Sequence, residues 1–422
     1  MLTNAEKEQL SKQIQLYRML SGMSVRRFAE AIHMSSATYA KIQKKASDVS
    51  TCTYDKILSN LCLTYHKEIP ACIKTEIMEL HKAINYFDQE NCKQIIDRIR
   101  KQLEAYQSEI SCVNLTVFFQ NLSRYFSQLY YLSENSIRIF MQYHDIFGKE
   151  MSELICFYCV YSSTMVSFPF EKQLYEQYPE LEMMDYLPIQ VHLMTKYQHD
   201  HNFEKMILLG ETIKERAIQT NNQIMLYEYW DCIVGYYVQI EPNKIKQALK
   251  EMYRLAQTKD FPLIKKKQFY ENYGRYCMKE QDYQTALDSF YQTLKLPENN
   301  MHVYSGTVLD ILFCESQLDV ASDFRKFRKM NRQYFESKSD YGLYCYYCEK
   351  QNLKNHERLA YLERKVLPYL TFYDNIARHQ IEVELEHFQN TSKKLSILKR
   401  LKQENKDKKK QPKLRVLRVV FS

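Results

Sequence analysis

Apolar residues recur along this chain at intervals of three and four, the spacing that gathers them on one face of an α-helix. In residues 5–20 the stripe is Leu10, Ile14, Tyr17 and Leu20. Ser24, Ser35 and Ser50 each stand just ahead of a new apolar run, where a serine hydroxyl caps a helix start. The run after Ser50 carries Ile57, Leu58 and Leu61. The pattern predicts four short helices ending near residue 65, then a connection, LTYHKEIPAC, that contains Pro70.

The second and third of these helices share the stretch FAEAIHMSSATYAKIQ, residues 28–43. Phe28 and Ile32 fall on the inner face of the first, with Ala29 where a second helix would cross it. Met34, Tyr39 and Ile42 fill the angle. Over about residues 8–65 this arrangement resembles the phage-repressor-like (Cro/C1-type, XRE) helix-turn-helix family. The resemblance implies that Ser35, Ser36, Ala37, Thr38 and Lys41 face the major groove of a double-stranded DNA operator. Arg26, Arg27, Lys44 and Lys45 would hold its phosphates. Of the groove-facing set only Lys41 is long enough to reach a guanine edge with a charge. Two positions depart from the family. His33 stands where glycine is common in the turn, and Val25 stands where a phosphate-binding glutamine is frequent.

The rest of the chain reads as a succession of helix pairs. The clearest is KQFYENYGRYCMKEQDYQTALDSFYQTLKLP, residues 267–297, with Gly274 and Ala286 as small contacts and Pro297 as terminator. It resembles the 34-residue tetratricopeptide repeat, in which small residues let two antiparallel helices approach. Weaker copies cover 201–217, 243–256, 318–330 and 353–370. Their matching positions are Met206, Ala248, Ala286, Ala321 and His356. The segment 87–106 suggests that the series starts soon after the linker. The expected fold class is all-α. A helix-turn-helix domain would occupy 1–65, and a right-handed superhelical array of tetratricopeptide-like pairs 66–392. The basic tail 393–422 is expected to be disordered. An irregular helical bundle is the plainer reading of the same residues.

Composition narrows the chemistry. The 422 residues include seven glycines, too few and too scattered for a GxGxxG or GxxxxGK[ST] loop, so a nucleotide-binding α/β fold is not expected. No HExxH and no nucleophile elbow appears, and neither an enzyme nor a cofactor is expected. The only close histidine spacing, His199 and His201, falls in an expected inter-helix turn. The longest apolar stretch, 155–170, is interrupted by Ser162, Ser163, Thr164 and Ser167. Together with a helix-like start in place of a leader, this predicts a cytoplasmic protein with no membrane partner. Cys156/Cys159 and Cys345/Cys348 form CxxC pairs, but in aromatic helical runs they read as buried thiols, not metal ligands. Of the net charge of +8, residues 1–65 carry +4 and residues 393–422 carry +10, leaving −6 between them. Anion binding is thus expected at the ends.

Taken together, the two halves resemble the Rgg/PlcR/PrgX/NprR (RRNPP) group of bacterial transcriptional regulators. That resemblance implies a homodimer whose array binds a short signalling peptide and thereby changes operator affinity. The arc of helix 267–279 opposite its packing face holds Glu271, Asn272, Arg275 and Lys279. Repeat spacing adds Asp310 and Lys196 as peptide-binding candidates. Asn272 suits a peptide amide, and Arg275 suits a terminal carboxylate. The alternative is a tetratricopeptide interaction scaffold with the front helices as an adaptor.

Overall fold

The computed structural model describes residues 2–408, except 87, 129, 240, 259–260, 296–300, 319–329, 336 and 371–374. The described residues form 21 α-helices and no strand. A lone β-bridge joins Thr64 to Glu109. No helix of the described residues is long and apolar enough to cross a membrane. The expected terminator Pro297, the repeat position Ala321 with nearly all of 318–330, and the tail beyond 408 lie outside the described residues.

Two compact units divide the chain, one over Met1–Cys232 and one from Ile233 onward. The first opens with α1 (Asn4–Leu20), α2 (Val25–Ala31), α3 (Ser36–Lys44) and α4 (Thr51–Asn60). Ser24, Ser35 and Ser50 cap α2, α3 and α4 as expected, each side chain accepting the backbone N–H three residues on. Then come α5 (Ala71–Asn85), α6 (Gln89–Leu103), α7 (Ile110–Gln128), α8 (Glu134–Gln142), α9 (Lys149–Val166) and α10 (Phe168–Gln177). The unit closes with α11 (Leu187–His199) and α12 (Phe203–Gln219), and α13 (Gln223–Gln239) runs through the division.

Residues 1–65 pack into this unit through α1, which buries two faces. Leu10 and Ile14 enter the core of α1–α4. Leu16 joins Ile139, Tyr143 and Ile146 on the other side. Asn114 Nδ2 of α7 donates to the backbone carbonyl of Gln13 at 3.0 Å and to its Oε1 at 2.7 Å. Lys12 pairs with Asp145 at 2.7 Å.

The second unit contains α14 (Ile245–Ala256), α15 (Leu263–Lys279), α16 (Tyr283–Lys295), α17 (Met301–Gln317), α18 (Lys338–Glu349), α19 (Asn355–Tyr361), α20 (Asn375–Glu386) and α21 (Ser392–Lys408). Of the repeat positions, Met206, Ala248 and Ala286 are fully buried. His356 is exposed, a departure from the expected register. There the helix gives way to a π-turn at Leu362–Val366 and a 3₁₀ turn at Leu367–Tyr369. Pro368 has no N–H to carry the helical ladder on. Leu359 and Leu362 do the packing instead.

Gly274 marks a close approach of α15 to α16. A Cβ there would lie 2.6 Å from the ring of Phe290 on α16, which leaves no room for a side chain. Gly306 on α17 meets only Arg275 Nη2, at 3.8 Å. Gly274→Val should therefore destabilise the protein by about 1–3 kcal/mol through overpacking, read as a lower midpoint in urea denaturation. Gly306→Ala should hold or raise the midpoint, because alanine favours helix. Equal midpoints for the two variants would contradict the close approach.

Candidate nucleic-acid interface and repeat-face cluster

In the first unit the packing residues Phe28, Ala29, Ile32, Tyr39 and Ile42 are all fully or almost fully buried. The Phe28 and Tyr39 rings lie 5.1 Å apart, and Tyr17 flanks Phe28 at 6.4 Å. The reversal between α2 and α3 is made by His33, whose φ of 52° is left-handed. Met34 N–H returns to Ala29 O at 2.9 Å, the closing bond of such a turn. Three bonds then fix the ends of the pair. Asn60 Nδ2 donates to Ile32 O at 2.8 Å, Ser11 Oγ to Ile42 O at 2.8 Å, and Arg18 Nη1 to Met23 O at 2.8 Å.

On the outside of this scaffold, Arg26, Arg27, Ser35, Ser36, Ala37, Thr38, Lys41, Lys44 and Lys45 are all exposed. Not all of them are chemically free. The Ser35 hydroxyl accepts from Thr38 N at 3.1 Å and lies 2.8 Å from Thr38 Oγ1, so both hydroxyls serve the helix start. Arg26 pairs with Glu30 at 3.0 Å, an exposed pair of small energetic weight. Lys41 and Lys44 occupy the last turn of α3, where cations suit the helix dipole whatever else they do.

In the second unit, Glu271, Arg275 and Asp310 meet in one network. Arg275 Nε contacts Asp310 Oδ2 at 3.0 Å. Thr307 Oγ1 donates to Glu271 at 2.9 Å, and Gln380 Nε2 donates to Asp310 at 3.0 Å. Burial pushes the Glu271 and Asp310 carboxyls up and the nearby Lys267 ammonium down. Arg275 therefore faces a carboxylate of its own chain, and a ligand carboxylate would have to displace Asp310. Asn272 differs. Both its amide atoms are buried and have no hydrogen-bond partner among the described residues. Lys279 is exposed in the last turn of α15.

Lys196 belongs to the first unit and is buried. It donates to Asp200 at 2.9 Å, lies 3.8 Å from Glu182 and sits 5.1 Å over the Tyr175 ring. Next to it, Glu171 and His192 approach to 3.5 Å, and the Tyr175 hydroxyl lies 2.9 Å from His192 Nδ1. Sequence reasoning missed this cluster, as it missed His81 and Glu153 at 2.6 Å, with His81 stacked on Tyr186. Cys156 and Cys159 are free, buried thiols, and burial pushes both up. Cys345 and Cys348 are half-buried.

No protein-family model matches this chain, and no curated protein matches it significantly.

Burial raises the Glu171 carboxyl from 4.5 to about 7, against the opposing pull of Lys196. The folded chain thus keeps this proton to higher pH than the unfolded chain does. Its effect on stability is nil below about 4.5, and stability is lost as pH rises toward about 7. Glu171→Gln should flatten that loss. Urea midpoints for both proteins across the interval test it, and parallel curves would contradict the assignment.

Proposed function

We propose that this chain is a sequence-specific DNA-binding transcriptional regulator whose helical repeat region senses a short peptide and changes operator binding. The observation that carries the reading is the outer face of α2 and α3. Nine exposed positions carry five cations, two arginines and three lysines, over five buried packing residues. In this reading α2 and α3 form a helix-turn-helix of the XRE type, with α3 in the major groove. The helix pairs of residues 66–392 form a right-handed superhelical array. The protein acts in the cytoplasm as a homodimer, which matches a two-fold operator with two half-sites.

Lys41 is the one long groove-facing side chain. Lys41→Ala should weaken binding to a duplex from the gene's own upstream region by about tenfold, the weight of one charged base contact. Gel shifts at two salt concentrations read this. Absence of any sequence preference at either salt removes the DNA-binding reading and leaves an interaction scaffold.

For the peptide half, the support is Asn272. An amide that is buried and unpartnered costs about 1–3 kcal/mol for each unmet group, a cost that a peptide backbone would relieve with one donor and one acceptor. The neutralised Arg275–Asp310 pair favours recognition of the backbone over that of a terminal carboxylate. Asn272→Leu should abolish the response of duplex binding to active peptide while leaving Tm unchanged or raised. A lowered Tm would mean that the amide serves the fold and not a ligand.

A further inference from the structure

Arg100 on α6 and Arg124 on α7 border one depression of about 320 Å³, with Gln120, Asn121 and Ser123 as the rest of its lining. Its walls are held from behind by one buried side chain. The Tyr158 hydroxyl shares its one proton between Asn121 O at 3.1 Å and Tyr130 O at 2.9 Å. Tyr130 in turn supports Arg124, whose guanidinium carbon sits 3.7 Å above the ring centre. Stacking of this kind orients the planar group and leaves its N–H edges available. Tyr130 N–H also returns to Arg124 O at 3.3 Å, which closes the turn beneath the stack. Arg100 Nη1 donates to Ser123 Oγ at 3.5 Å, so the serine keeps its own O–H to give. Asn121 Nδ2 spends one hydrogen on Val117 O at 2.9 Å and retains the other.

The charge balance is one-sided. Asp97 lies 3.3 Å from Arg100 and is mostly exposed. Among the described residues no carboxylate pairs with Arg124. Neighbouring Arg98 shows the contrast, since it is held by Glu76 at 2.8 Å and by Glu79 at 2.9 Å. We infer that the depression between α6 and α7 binds a small phosphate-bearing anion through Arg100 and Arg124, with Ser123 as a third donor. Two guanidinium groups from different helices suit a dianion with three acceptor oxygens, whereas one bidentate arginine would satisfy a carboxylate. A concave surface of this volume fits a small molecule better than it fits the convex backbone of a duplex.

Calorimetric titration of the full chain with inorganic phosphate in low-chloride buffer tests the site. Saturable one-site binding is expected. Arg100→Gln and Arg124→Gln should each weaken it at least about tenfold, the weight of a charged hydrogen bond. Ser123→Ala should weaken it severalfold without altering charge, and serves if an arginine variant fails to fold. Arg98→Gln should leave it unchanged. Absence of saturable binding overturns the inference, as does acetate binding as tightly as phosphate or an equal loss in Arg98→Gln. Loss of duplex affinity in Arg124→Gln without phosphate binding by the parent chain also overturns it, in favour of a DNA-backbone contact.

Discussion

Where two consecutive helices are joined by a tight reversal, one residue commonly takes a positive φ. With seven glycines this chain meets the demand largely without them. His33, Cys62, His201, Asn221 and Gln281 all adopt φ between 52° and 63°, alongside Gly22 at 67°. Each non-glycine residue in that region costs about 1–3 kcal/mol. The cost is offset locally by the same pair of returning bonds each time. At Gln281 these run from Gln281 N to Met278 O and from Asp282 N to Cys277 O. In three cases the next residue is also the cap of the following helix. Asn202, Asn222 and Asp282 accept the N–H groups of Lys205, Met225 and Thr285. Two consecutive residues thus end one helix and start another. The close approach of α15 and α16 at Gly274 depends on that economy, because a longer loop would not hold the pair to a fixed register.

Helix α1 imposes a second constraint. Most surface helices bury one stripe, but α1 buries Leu10 and Ile14 on one side and Leu16 on another. Gln13, buried between them, is satisfied by Asn114. Unpairing that amide in a dry interface costs more than the bond gains, so the contact resists slippage. The face of α3 is tied to α1 by the Ser11–Ile42 bond. It is therefore held to α7 through one continuous path of packed side chains and hydrogen bonds.

Legibility from sequence followed the range of each interaction. The three serine caps were readable because a cap involves residues three apart, and so were the buried Phe28, Ala29, Ile32, Tyr39 and Ile42. The small residue Gly274 was readable because repeat spacing marks it, although only the structure identifies Phe290 as the ring it admits. Pairings across many residues were not readable. Nothing in the string joins Gln13 to Asn114, and repeat spacing puts Arg275 and Asp310 on one face without pairing them, so the candidate cluster on α15 changes meaning once its arginine is neutralised. Lys196, a peptide-binding candidate by repeat spacing, is buried among carboxylates and aromatic rings. Periodicity places a residue on a face but does not say what that face meets. His356, at the start of α19, is exposed, and the helical register that the repeat spacing assumes ends in the turns at 362–369.

For the proposed DNA reading, the same accounting limits what α3 can recognise. The Ser35 and Thr38 hydroxyls are engaged at the helix start, so using either on a base would weaken the cap that orients the helix. Ser36, Ala37 and Lys41 remain for the groove. One hydroxyl, one methyl group and one cation distinguish few base pairs, since a thymine methyl and a guanine edge are all that the last two can mark. Affinity then rests on Arg26, Arg27, Lys44 and Lys45, whose phosphate contacts are insensitive to sequence and fall steeply with salt. Discrimination among operators has to come from elsewhere, from the spacing of two half-sites in a dimer and from the cost of deforming the DNA between them. A regulator built this way is controlled most economically through geometry. In that reading, a change in the spacing of the two reading heads of a dimer would alter operator binding while leaving the heads themselves unchanged.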